Sequence, residues 1–250
     1  MNIATTVRSN AAHPSTSASL VQHREAPASR YDLYAGIHKG LRAWMSDVLA
    51  RAGRTDPFDR SEVTDLSANL RALLRFCRKH IESESKYVHF AMEQAIPGTP
   101  VAIAGDHLHH ERAIASIETE LRGLEHAEWS ARATAAQRLY RRIALFVADN
   151  FVHMHTEETE HNAVLWATYT DHEIAEIEQT IVASHAPEEL AEVLRWMVPA
   201  MSSPERAAMF TRMRMNAPTG VVDHLLGVVK PYLSDGDWNK LCAATGPFSH

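Results

Sequence analysis

The sequence predicts an all-α protein: an up-down four-helix bundle followed by a C-terminal extension of shorter helices. Three observations carry that expectation. Apolar residues recur at spacings of three and four over long stretches, which is the period of a helix face. Only 10 glycines and 11 prolines interrupt 250 residues, and such scarcity of breakers favours helix. Four such stretches joined by short loops make an up-down bundle.

The elements follow in order. Residues 1–29 are rich in Ser, Thr and Ala, carry Pro14 and Pro27 and show no apolar period, which predicts a disordered tail. Residues 30–170 are assigned to the bundle. Tyr34, Ile37, His38, Leu41, Trp44, Met45, Val48 and Leu49 define one face of a first helix that runs to about Ala52. A second begins near Pro57, carries Leu66, Leu70, Leu73, Cys77, His80 and Glu84 on one side, and stops at Ile96-Pro97-Gly98. Two prolines and two glycines make residues 97–105 a loop, after which Asp106 can cap a third helix with His107, His110, Ile114, Ile117 and Leu121. The fourth runs from about Trp129 to Tyr169, with Leu139, Ile143, Phe146, His153 and Glu157 inward. Residues 171–250 form the extension, about four helices punctuated by Pro187, Pro204, Pro218 and Ser234-Asp235-Gly236. Its methionines read as core filler.

Composition excludes several classes. A net charge of -6 argues against a phosphate-backbone binder, which concentrates Lys and Arg on one face. No run of about 18 apolar residues predicts a spanning helix, and the first residues lack the apolar segment of a secretory signal. Cys77 and Cys242 stand alone, outside any CxxC spacing, so neither a disulfide framework nor a thiolate zinc site is expected and a reducing cytoplasm fits. Cys77 reads as a small core residue. The unusual count is 16 histidines, and histidine is a common metal ligand at neutral pH.

A histidine followed four residues later by a glutamate places both on one helix face, one turn apart. That spacing occurs six times: His80/Glu84, His89/Glu93, His107/Glu111, His153/Glu157, His172/Glu176 and His185/Glu189. The pairs starting at 80, 107 and 153 fall within apolar stripes of helices two, three and four, and helix one supplies His38. The pairs at 89, 172 and 185 read as solvated surface. Four helices each presenting such groups centrally are costly without a cation to neutralise them.

His38 in IHKGLR, His80/Glu84 in KHIESE, His107 in DHLHHE and His153/Glu157 in HMHTEE resemble, in order and helix placement, the ligand series of hemerythrin-like (HHE cation-binding) domains. The resemblance covers residues 31 to about 169. It implies two irons bridged by Glu84 and Glu157, with His38, His80, His107 and His153 as terminal ligands and O2 or NO as the small-molecule ligand. Glu158 is the alternative bridge, because oxygen carriers place that carboxylate five positions after the histidine. His110 is the alternative to His107. The carriers have HxxxH on helix three where this chain has His107 and Glu111; an added carboxylate would favour the ferric state and redox turnover. His155 and His161 are expected off the inner stripe. Tyr34 and Tyr87 are either packing residues or hydrogen-bond donors near the metals.

A ferritin-like centre needs two ExxH pairs, and only Glu158/His161 occurs; the hydrolytic HExxH is absent. Three functions stay open: a sensor or binding protein for O2, NO or iron, an oxidoreductase activating O2 or peroxide, and a metal-free helical adaptor. In the first, the C-terminal helices contact a protein partner or a second copy of the chain.

Overall fold

The computed structural model describes residues 30–99, 101–216 and 219–246; the expected tail at 1–29 lies outside them. Every regular element among the described residues is helical. Helix α1 is Ala35–Arg54. The rod α2 joins Arg60–Ser83, a π turn at Glu84–Val88 and His89–Ala95. Helix α3 is Val101–Glu125. The rod α4 joins Arg132–Thr156, a second π turn at Glu157–His161 and Asn162–Thr168, preceded by a 3-10 turn at Trp129–Ala131. Then come α5 (Asp171–Ala183), α6 (Pro187–Ala200), α7 (Ser203–Asn216), α8 (Thr219–Val229) and α9 (Asp235–Thr245).

Local chemistry sets the ends. Asp59, not Pro57, starts α2, its carboxylate accepting from the backbone N–H of Ser61 at 2.7 Å and Glu62 at 3.2 Å. A Thr170/Glu173 capping box opens α5, and Pro187 occupies the first turn of α6. Helix α3 begins at Val101, five residues earlier than expected at Asp106. Gly105 is absorbed into the helix at a cost of about 1 kcal/mol relative to alanine. The C-terminal segment holds five α-helices among the described residues, against about four expected, because its four punctuation points separate five pieces.

From Tyr31 onward the described residues belong to one compact unit. Helix α1 packs against α2, α4 and α6, and α3 against α2 and α4. Leu41, Trp44 and Val48 meet Leu70, Leu73 and Cys77 of α2, Ile114, Ile117 and Leu121 of α3, and Leu139, Ile143 and Phe146 of α4 in one apolar cluster. Cys77 is thus a core residue, and burial pushes its thiol up to about 12. Arg78 clamps Glu118 with two bonds of 2.7 and 3.0 Å and so ties α2 to α3.

A second cluster lies beyond the polar layer: Leu33 and Tyr34, Val88 and Met92, Leu165 and Ile174. The histidines and glutamates therefore occupy a slice between two dry layers. The third cluster joins Leu194, Val198, Met209, Phe210, Val222, Leu226 and Leu241, with Met197, Met201 and Met213 packed against it, so these methionines fill a core. Trp44 stacks between Phe76 and Trp196, which carries the contact from α2 through α1 to α6. Among the described residues no helix is long and apolar enough to cross a membrane.

Candidate metal centre

Glu84 and Glu157 face each other at the heart of the polar slice, 3% and 0% exposed. Each begins a π turn. A π turn spreads one helical turn over an extra residue, and such turns are frequent at functional sites. The extra residue of the first π turn brings His89, five residues after Glu84, onto the face of that glutamate, while His161, four after Glu157, shares its face.

Around Glu84 and Glu157 stand two sets of four. His38 and His80 join both glutamates in one; His107 and His153 join both in the other. Within each set the potential ligand atoms lie within 4.8 Å of one another. His80 Nε2 is 3.0 Å from Glu84 Oε1, and His38 Nε2 is 3.4 Å from Glu157 Oε2 and 3.8 Å from Glu84 Oε1. His107 Nε2 is 3.6 Å from Glu84 Oε2, and His153 Nε2 is 3.3 Å from Glu157 Oε1. Ligands about 2.1 Å from a shared ion at roughly right angles lie about 3 Å apart, so these spacings suit a cation.

The fit is carried by unsatisfied atoms. Nε2 of His38, His80, His107, His153, His89 and His161, and both oxygens of Glu84 and of Glu157, are buried without a hydrogen bond of proper geometry, even where His80 and Glu84 approach to 3.0 Å. Leaving one such group bare costs about 1–3 kcal/mol, more when charged. Ten convergent orphans are what a metal-ligand set presents before the metal is counted.

Several opposite nitrogens are held from outside. His38 Nδ1 donates to Glu158 at 3.1 Å, and Glu158 in turn accepts two bonds from Arg42 at 2.5 and 2.9 Å. His107 Nδ1 meets Ser85 Oγ at 2.9 Å and His161 Nδ1 meets the Tyr34 hydroxyl at 3.1 Å, whereas Nδ1 of His153 has no hydrogen-bond partner and only faces the Asp106 carboxylate at 3.8 Å. Fixing Nδ1 aims Nε2 inward, an arrangement usual for metal-bound histidine.

Electrostatics divide the site. Burial lowers His38, but Glu158 and Glu84 outweigh it and hold the imidazole up at about 9. His153 is also raised, burial being overcome by Glu157. Burial raises Glu157, yet His107 and His153 hold it well below the usual carboxylate range. Burial dominates at His80 and His161, both lowered, and at His89 and His110, each lowered to about 4.

Of the residues expected from sequence, His38, His80, Glu84, His107, His153 and Glu157 come together. Three others do not join them. Glu111 is exposed, because the inward stripe of α3 steps from His107 by three to His110 and then by four to Ile114. Glu158 is a hydrogen-bond partner of His38 outside both sets, since adjacent residues of a helix project in different directions. His110 is buried, its ring 4.7 Å from that of His153, but it stands outside both sets.

Two histidines expected outside the site are inside it. His89 and His161 are 6% and 2% exposed, and with Glu157 they form a third group of potential ligands. Counting fours along an unbroken α-helix does not reach His89; the signal in the sequence is a histidine five residues after Glu84 and four after Glu157. His172 is exposed as expected, whereas His185 is tucked against Ser83, its Nε2 3.3 Å from Ser83 Oγ. Tyr34 belongs to the site, and Tyr87 lines a surface groove with Lys79, Ser83 and Ser184. Compared with protein-family models, curated proteins and solved structures, the chain has no match.

Proposed function

We propose that residues 31–169 form an up-down four-helix bundle of the hemerythrin-like type, holding a non-haem di-iron centre that binds or senses O2, NO or iron. The observation that carries this reading is that Glu84 and Glu157 are common to two separate sets of histidines. A carboxylate shared between two ligand sets is suited to bridging two cations. Imidazole with carboxylate and no thiolate is compatible with iron as with other first-row metals, and it is the resemblance of the ligand series that selects iron. When bound, the iron pair supplies a redox-active centre able to take up O2 or NO.

The chain's own residues would hold and insulate that centre. His38 and His80 serve one ion, His107 and His153 the other, and the two glutamates offset charge in both. The dry layers of Leu41, Trp44 and Cys77 on one side and Leu33, Val88 and Met92 on the other exclude bulk water. Glu111 lies outside the site, so the extra carboxylate that would favour ferric turnover is missing from it. A histidine-rich environment supports binding or sensing over oxidative catalysis. Helix α6 packs along α1, the helix of His38, and gives α5–α9 a route for reporting the state of the centre to a partner protein or a second copy.

Metal analysis and an ultraviolet-visible spectrum, taken on protein purified without oxygen and then exposed to air, test the proposal. At least two irons per chain with near-ultraviolet charge-transfer bands are expected, both lost in His80→Ala and Glu157→Ala. Iron-free protein that Fe(II) cannot reconstitute would overturn it in favour of the metal-free adaptor.

A further inference from the structure

His89 and His161 have no part in the two four-residue sets, yet they are built like ligands. They sit on different rods, each at the far end of a π turn, and their rings meet edge to face with centroids 5.3 Å apart. Both Nε2 atoms are buried without partners. Tyr34 holds Nδ1 of His161 at 3.1 Å, which leaves its Nε2 as the inward atom. The ligand atoms of His89, His161 and Glu157 all lie within 4.8 Å of one another. Val88 and Met92 on the rod of His89, and Leu165 on that of His161, belong to an apolar cluster, so packing alone does not call for an imidazole at either position.

We propose that His89, His161 and Glu157 form a third metal-binding position beside the di-iron pair, taking a divalent first-row cation such as Fe(II). Two imidazoles and one carboxylate with open positions is a recurrent ligand set for non-haem Fe(II). The inference rests on Glu157 being a ligand, as in the reading above. The third ion shares that carboxylate and stands near two other cations, with only Glu84 and Glu157 to offset all three. It therefore fills last and is held at least about tenfold more weakly than the pair.

The test is equilibrium dialysis of chelator-stripped, full-length protein against ferrous ammonium sulfate under nitrogen, with bound iron counted per chain. Wild type is expected to saturate at three irons in two phases. The double variant His89→Asn/His161→Asn is expected to saturate at two and keep the absorption bands of the pair. Wild type saturating at two, or the variant still taking three, overturns the third position and leaves the di-iron reading standing. Wild type taking none sinks both. Should the variant fail to fold by circular dichroism, anomalous scattering at the iron edge from wild-type crystals decides. A third peak beside Nε2 of His89 and His161 supports the position, and two peaks alone overturn it.

Discussion

Glu158 accepts a hydrogen bond from Nδ1 of His38 and so turns Nε2 of that imidazole toward Glu84 and Glu157. Arg42 completes the relay with two bonds to the same carboxylate. Neither residue touches the ligand cluster's interior, but they set the ring angle and the proton of one proposed ligand. Loss of such a partner commonly weakens metal affinity by about 10–100-fold. Glu158→Ala should therefore lower Fe(II) affinity by that factor while leaving the helical content unchanged. Arg42→Ala should produce a smaller loss, because Glu158 can still accept from His38. Competition with a calibrated chelator reads both, and unchanged affinity in Glu158→Ala would refute the positioning role.

The metal-free protein should be most stable near neutral pH. His89 and His110 have folded-state values of about 4, below the ordinary 6.5, so the unfolded chain takes up their protons first. Stability is thus lost as pH falls from 6.5 toward 4, and His80 and His161 act in the same direction. His38 behaves oppositely. Its contribution is fully present below 6.5 and disappears as pH rises through about 9. Thermal unfolding of chelator-treated protein should show Tm falling by about 5 °C or more between pH 6.5 and 5, with a shallower decline toward pH 9. A flat acid side would mean that these histidines are not held neutral by burial.

The six proposed ligands were legible because each lies on an apolar stripe whose period an α-helix preserves. Glu84 and Glu157 follow histidines by four and share their faces. Legibility ended at the π turns. No residue type in Glu84-Ser-Lys-Tyr-Val88 or Glu157-Glu-Thr-Glu-His161 announces an extra residue in the turn, so an unbroken helical period leaves His89, near the end of α2, on the solvent side. Glu111 failed for the converse reason: a spacing of four after His107 is helical, but the buried stripe of α3 first steps by three. The contact between α1 and α6 was also out of reach, since periodicity identifies a buried face and not the element that covers it.

That contact supplies the last prediction. A Cβ on Gly40 would lie 2.8 Å from the Cα of Met197 and 3.0 Å from its backbone nitrogen, too close for any side chain unless α1 and α6 separate. Backbone yields less readily than a side chain, so Gly40→Ala should cost about 1–3 kcal/mol as an overpacked contact. Gly36, one turn earlier on α1, would place its Cβ 3.4 Å from Met197 Sδ, the flexible part of the same residue. Gly36→Ala should be neutral or stabilising by up to about 1 kcal/mol, from helix propensity. The two variants differ by one turn but act on opposite kinds of neighbour. If α6 controls the seat of His38, two residues from Gly40, then Gly40→Ala should weaken Fe(II) binding as well as stability, whereas Gly36→Ala should change neither adversely. Denaturation midpoints and chelator competition on the pair measure both quantities. A stability loss in Gly40→Ala with unaltered affinity would confine α6 to a structural role and remove the route by which the C-terminal helices read the centre.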